Sequence, residues 1–124
     1  MPSYRTIYDF PPGDTFTVIR TLDAPADDST PSDAWFTIKR YDTDNDAMAT
    51  ASVHITPTSS GIGLINVYPD KTSLLTFVVL AGTTSAMIAH EIYYYDIQVK
   101  TTSNSVFTLE TGKVFPTRTV TQSS

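Results

Sequence analysis

Cysteine is missing from this 124-residue chain. That excludes a disulfide scaffold, a thiolate zinc site and a cysteine nucleophile. It leaves the redox compartment open, because a chain without thiols tolerates reducing and oxidising surroundings alike. Charge is scarce as well, at 17% of residues against about a quarter in ordinary soluble domains. Basic residues are the scarcer sign, eight against thirteen acidic, for a net charge of −5. This argues against a nucleic-acid partner, since binding one needs Lys and Arg to displace phosphate counterions. No apolar run approaches the ~18 residues of a membrane span. The longest, Leu74 to Ala81, is short and contains Thr76. The opening Met1-Pro2-Ser3-Tyr4-Arg5 starts no apolar stretch of the length a secretory signal needs. The expectation is a cytosolic product with its own initiator Met, or one released by lysis.

What is present suits one domain. Hydrophobic residues make up 40% of the chain, enough for a core, and a chain of this size hides roughly two-thirds of its unfolded surface. Thr and Ser fill the place of charge at roughly a quarter of the chain, well above their average usage. Low charge with an adequate apolar share excludes a disordered polyelectrolyte.

Helix formers are few, with only two Glu and four Lys, while Thr, Val, Ile, Tyr and Phe suit a pleated, half-buried surface. Alternation recurs every ten residues or so. Tyr4, Thr6, Tyr8 and Phe10 share a face before Pro11-Pro12-Gly13-Asp14 breaks the segment. Phe16, Val18 and Leu22 line a second strand, and the aspartate- and proline-bearing stretch Asp23 to Asp33 reads as a loop. Ala34, Phe36 and Ile38 alternate with Trp35, Thr37 and Lys39. Val53 and Ile55 mark a fourth strand, and Ile62 to Val67 a fifth. Phe77-Val78-Val79-Leu80 is a continuous apolar run, fitting a strand covered on both faces or a segment facing another subunit. Tyr93, Tyr95, Ile97 and Val99 share one face of the clearest strand, with Tyr94, Asp96, Gln98 and Lys100 opposite. After a turn at Thr101 to Ser105, Phe107 and Leu109 enter a hairpin whose bend includes Gly112, and Val114, Phe115 and Val120 form a last strand broken by Pro116. One helical turn fits at Leu74 to Leu75 or Ser85 to His90, and no more. Seven to nine short strands with turn signals between them predict an all-β, antiparallel sandwich with a single core. Residues 1–12 form an N-terminal arm or first strand, 13–121 the sandwich and 122–124 a tail.

Few residues carry chemistry. Asp42, Asp44 and Asp46 alternate in a polar turn and are the one weak candidate for calcium. The sixth and twelfth places of a calcium loop, normally Gly and Glu, hold Ala47 and Val53, so a solvated hairpin tip is the expected state. His54 and His90 are the only imidazoles, and nothing sets them in pairs on one element, so His54 is expected on a polar strand face and not on a metal. A catalytic triad assembles from distant residues, but the nucleophile pattern Gly-x-Ser-x-Gly is missing. Gly61-Ile62-Gly63 lacks a following helix and reads as a turn or bulge instead of a phosphate cradle. In Tyr93-Tyr94-Tyr95, alternation sends the outer two to the core and Tyr94 to the opposite face, where a tyrosine can anchor a protein interface. Trp35 points away from Ala34, Phe36 and Ile38, and lies either under a loop or against a partner.

The order of several short segments carries a resemblance: Gly13-Asp14-Thr15 before a strand, Asp33-Ala34-Trp35-Phe36-Thr37-Ile38-Lys39 after a polar loop, Tyr95-Asp96-Ile97-Gln98-Val99, Val106-Phe107-Thr108-Leu109-Glu110-Thr111-Gly112, and the closing Val120-Thr121. Together they resemble the immunoglobulin-like N-terminal domain of tailed-phage upper baseplate proteins and related small virion proteins. The resemblance implies an immunoglobulin-like sandwich in a virion, assembled in the host cytoplasm, that joins tail, baseplate or fibre parts. The implied partners are other phage structural proteins and further copies of the chain, with no nucleic acid, membrane, cofactor or enzymatic activity. Trp35, Tyr94 and the run Phe77, Val78, Val79 and Leu80 are the residues expected between subunits. The alternative is a carbohydrate-binding sandwich using Trp35 and the tyrosines.

Overall fold

In the computed structural model, residues 3–7, 15–26, 29–40, 51–81, 87 and 91–116 are described. They form eight strands: β1 (Ser3–Ile7), β2 (Phe16–Leu22), β3 (Pro31–Lys39), β4 (Ala51–Ile55), β5 (Gly63–Val67), β6 (Ser73–Val79), β7 (Tyr93–Thr101) and β8 (Val106–Val114). A five-stranded sheet has the order β1-β8-β7-β3-β4 and a three-stranded sheet the order β2-β6-β5. All pairings are antiparallel except β1 with β8, which run parallel. The second, fifth and sixth strands share one sheet, while the third, seventh and eighth share the other with the fourth at its edge. That distribution is the arrangement of an immunoglobulin-like sandwich.

Period-two alternation places the core. β7 buries Tyr93, Tyr95, Ile97 and Val99, as its pattern predicts, and β3 buries Ala34, Phe36 and Ile38. From the smaller sheet come Val18, Leu22, Ile65, Leu75, Phe77 and Val79. Phe36 sits at the middle. Its ring meets Phe16 edge-on at 6.4 Å, Phe77 at 5.8 Å and Tyr95 at 5.2 Å between centroids. Pairs in these geometries add about 0.5–1.5 kcal/mol each beyond their buried area.

Four local readings change. The stretch read as a loop from Asp23 to Asp33 ends earlier, because Pro31 and Asp33 already pair with β7 as the start of β3. Gly112 lies inside β8, opposite Tyr95 and Arg5, and not at a hairpin bend. The bend falls at Thr101–Ser105, where Asn104 takes a φ of 67° and the Thr101 N–H donates to the Ser105 carbonyl. Leu74 and Leu75 belong to β6, not to a helical turn. The apolar run Phe77 to Leu80 is not covered on both faces, because a strand sends successive side chains to opposite sides whatever their chemistry. Phe77 and Val79 are fully buried, while Val78 is half-buried and Leu80 exposed. The segments at Tyr8 to Asp14, Asp42 to Asp46, Ser85 to Ala86, Ile88 to His90 and Val120 lie outside the described residues.

The glycine pair serves a turn, as its spacing suggested. Gly61 has a φ of 83° and Gly63 of 118°. At Gly63 an added Cβ would stand 1.8 Å from the Thr76 carbonyl oxygen, whereas at Gly61 it would meet nothing. Side-chain-free backbone therefore lets β5 approach β6, and Ser59 Oγ completes the corner by donating to the Gly63 carbonyl. The two glycines separate strain from collision. Gly61→Ala is expected to cost about 1–2 kcal/mol, the left-handed backbone penalty alone. Gly63→Ala should cost clearly more, because the chain must also move off Thr76. Urea midpoints of the two variants check this; equal losses would refute the collision.

Candidate interaction surfaces

The outward face of the five-stranded sheet gathers most of the predicted surface residues. Register sets His54, Trp35, Gln98 and Thr108 in one row across β4, β3, β7 and β8. Ser52, Thr37, Asp96 and Thr111 form the next row, and Lys39, Tyr94 and Lys113 the third. Trp35 and Tyr94 thus share a face, two rows apart. The indole of Trp35 lies flat on the His54 imidazole, with centroids 5.0 Å apart and planes 10° from parallel. His54 Nε2 stands 2.8 Å from Asp33 Oδ1, and Ser32 Oγ lies 2.9 Å from Asp33 Oδ2 and 3.2 Å from the Lys100 carbonyl. The hydrogen bond from His54, helped by that from Ser32, holds the Asp33 carboxyl below the usual carboxylate range. His54 therefore sits half-exposed on a polar strand face, bonded to a carboxylate.

Two hollows indent this face. One, of about 360 Å³, is lined by Trp35, Thr37, Ser52, Gln98 and Val106. The other, of about 500 Å³, includes Lys39, Tyr94, Asp96, Thr111 and Lys113 in its lining. Thr37 lines both, so the hollows adjoin.

The three-stranded sheet presents a different outer face. β2 points Thr17, Ile19 and Thr21 outward, β6 Leu74, Thr76 and Val78, and β5 Leu64 and Asn66. None of these side chains is charged. Ile19 is 53% exposed and Leu64 38%, and Leu80, 47% exposed, follows β6 on the same alternation. The run Phe77 to Leu80 therefore divides. Phe77 and Val79 are occupied inside their own chain and cannot face a neighbour, whereas Val78 and Leu80 belong to this outer surface.

Between the sheets lies a polar link that the sequence reading missed. Arg20 interrupts the apolar inner face of β2 and reaches Glu110 on β8, with Nε 2.8 Å from Oε1 and the second terminal nitrogen, Nη2, 3.0 Å from Oε2. The Tyr95 hydroxyl donates to the same carboxylate. Glu110 is 2% exposed as a residue, and the Arg20 side chain 20%. Burial, then the Glu110 hydrogen bond, pushes the Tyr95 hydroxyl well above the normal phenol range, while the bond to Glu110 raises Arg20 further. A charged residue at an inward position of an otherwise alternating strand was the available signal. β8 also slips register between its pairs with Ile97 and Gln98, which a fixed period-two count along β8 does not follow.

Among the described residues no three His, Cys, Asp or Glu side chains gather into a metal site. Asp42, Asp44, Asp46 and His90 lie outside those residues. No family model matches the sequence, and no curated protein does. Among solved structures, the extracellular domains 3–5 of Drosophila OTK match over 94% of this chain at 11% identity, with a TM-score of 0.37. The chain spans about a third of that structure's length, 33%. So loose a superposition carries no argument, and the fold assignment rests on strand order.

The link makes unequal demands on its members. Arg20→Met strands a nearly inaccessible carboxylate and should cost about 3–5 kcal/mol. Glu110→Gln keeps one acceptor oxygen but turns the other into an NH2 that opposes a donor, a clash Arg20 relieves by leaning toward water, so about 1–3 kcal/mol is expected. The sign for Tyr95 follows from its raised value. Its contribution is complete below pH ~10, where an unfolded tyrosine also keeps its proton, and is lost as pH rises from there toward the folded value. Chemical denaturation from pH 8 to 11 should show a decline that Tyr95→Phe lessens; equal slopes would contradict the assignment.

Proposed function

We propose that the chain is a non-enzymatic structural adaptor of a tailed-phage particle, working by protein–protein contacts among copies of itself and companion virion proteins. The phage setting is supported by the resemblance of its ordered segments. The docking role is supported by one observation, the charge-free outer face of β2, β6 and β5. In a chain of net charge −5, approach of two copies is opposed by like charge over most orientations. A face of Thr, Ile, Leu, Val and Asn avoids that repulsion, and hiding threonine from water costs less than hiding lysine or glutamate. The occupant we assign is a second copy, because an uncharged face is its own complement across a two-fold axis.

The contact is small. Three strands ~4.8 Å apart and ~20 Å long offer on the order of 300 Å², below the ~800 Å² per partner of a standard interface. A single contact of this size is weak, and repetition in an assembly supplies the strength.

The purified chain is expected to associate in a concentration-dependent manner, with dissociation in the high-micromolar range, by sedimentation velocity. Ile19→Lys together with Leu64→Lys should abolish association and leave the melting temperature within a few degrees. A chain that stays monomeric at millimolar concentration, or dimers indifferent to both lysines, would refute the docking face. The phage setting is checked separately, by whether the gene lies among those of tail and baseplate proteins.

A further inference from the structure

The hollow beside Trp35 lies on the other sheet from that docking face and has a chemistry of its own. We infer that it is a binding subsite for a neutral saccharide ring. Among the described residues its lining is an indole, two hydroxyls (Thr37 and Ser52), one carboxamide (Gln98) and the Val106 side chain, none of them charged. A sugar ring combines an apolar C–H face with hydroxyls that both donate and accept. Hydroxyls and a carboxamide are the side chains that also do both, and the indole offers a flat apolar platform. A charged ligand finds no counter-charge among the described residues of this lining, and a purely apolar one leaves Thr37, Ser52 and Gln98 unpaired, at a cost in affinity. The volume of about 360 Å³ falls at the small end of ligand sites, roughly 300–1,000 Å³.

The platform is held before any ligand arrives. Trp35 stacks on His54, His54 bonds Asp33, and Asp33 is held by Ser32, which also bonds the Lys100 carbonyl. Every member of that chain stands on β3, β4 or β7, so the ring plane is set by strands and not by a loop, and less ordering entropy is lost on binding. Across the sheet, register places His54 on one side of Trp35 and Gln98 on the other, so the imidazole stacks on the indole from β4 while Gln98 meets the hollow from β7. The adjoining hollow, with Thr111, Tyr94 and Asp96, gives a second sugar unit hydroxyl partners in continuation.

Trp35 is the only tryptophan, so its fluorescence reports the site directly. The full chain is titrated with glucose, galactose, mannose, rhamnose, N-acetylglucosamine, maltose, cellobiose and lactose. At least one should produce a saturable fluorescence change in the millimolar range, with amide NMR shifts centred on Trp35, Thr37 and Gln98. Followed by NMR, Trp35→Ala and Gln98→Leu should each weaken binding tenfold or more with unchanged circular dichroism, while Trp35→Phe retains part of it. Ile19→Lys should leave it untouched, which separates this inference from the docking face. No saturable response to any of these sugars, or a response that survives both Trp35→Ala and Gln98→Leu, overturns the assignment. So does binding confined to sugar acids such as glucuronate and lost in Lys39→Ala with Lys113→Ala, which moves the site to the other hollow.

Discussion

The sandwich is tied across its middle by a carboxylate. Glu110, almost inaccessible to water, takes two hydrogen bonds from Arg20 and one from Tyr95. It thereby joins β2 of one sheet to β7 and β8 of the other. In antibody domains a disulfide links the strands that occupy the places of β2 and β7 here. This chain has no cysteine, and the polar link spans the same strands without one. An ion pair differs from a disulfide in kind. It does not shorten the unfolded chain, and burying it gains little over a well-packed apolar trio. A slip that separated Arg20 from Glu110 would leave an unpaired carboxylate in the core, which disfavours other packings of the two sheets.

The packing adopted decides what the outer faces display. With Phe36, Tyr95 and Phe77 committed to the core, the opposite sides of the same strands are committed to the surface. On β3 and β7 these are Trp35, Tyr94, Asp96 and Gln98, with Thr37 buried among them on the same side. On β2 and β6 they are threonines and aliphatics. One face is indented, aromatic and polar, with lysines and aspartates along it; the other is uncharged and mixes threonines and an asparagine with aliphatics. The proposed adaptor role and the proposed saccharide subsite use these separate faces, so one molecule is able to hold a neighbour on one side while its other sheet stays open.

Much of the fold was legible along the chain because a strand with one buried face writes its orientation in every second residue. β4 and β7 follow this rule throughout and β3 does except at Thr37, which is buried as well, so their cores were read correctly from the spacing of Phe36, Val53 and Tyr95. The run Phe77 to Leu80 was not legible, since four apolar residues in succession carry no contrast from which a face is read. Gly112 misled because glycine marks bends in most strands, whereas here it stands beside Tyr95 inside a strand. Of the candidate surface, Trp35 and Tyr94 could be placed by alternation, but their common face required knowing that β3 and β7 are neighbours.

The amino-acid order alone determined an all-β sandwich, the inward set of each alternating strand and the exclusion of thiol chemistry, because these depend on nearest neighbours and on composition. Only the tertiary structure decided that Arg20, Tyr95 and Glu110 meet, that His54 lies under Trp35, and that the uncharged residues of three separate strands form one surface. Arg20 and Glu110 are 90 residues apart. Pairings at such separations are chosen by how two sheets pack, and no local preference encodes that choice.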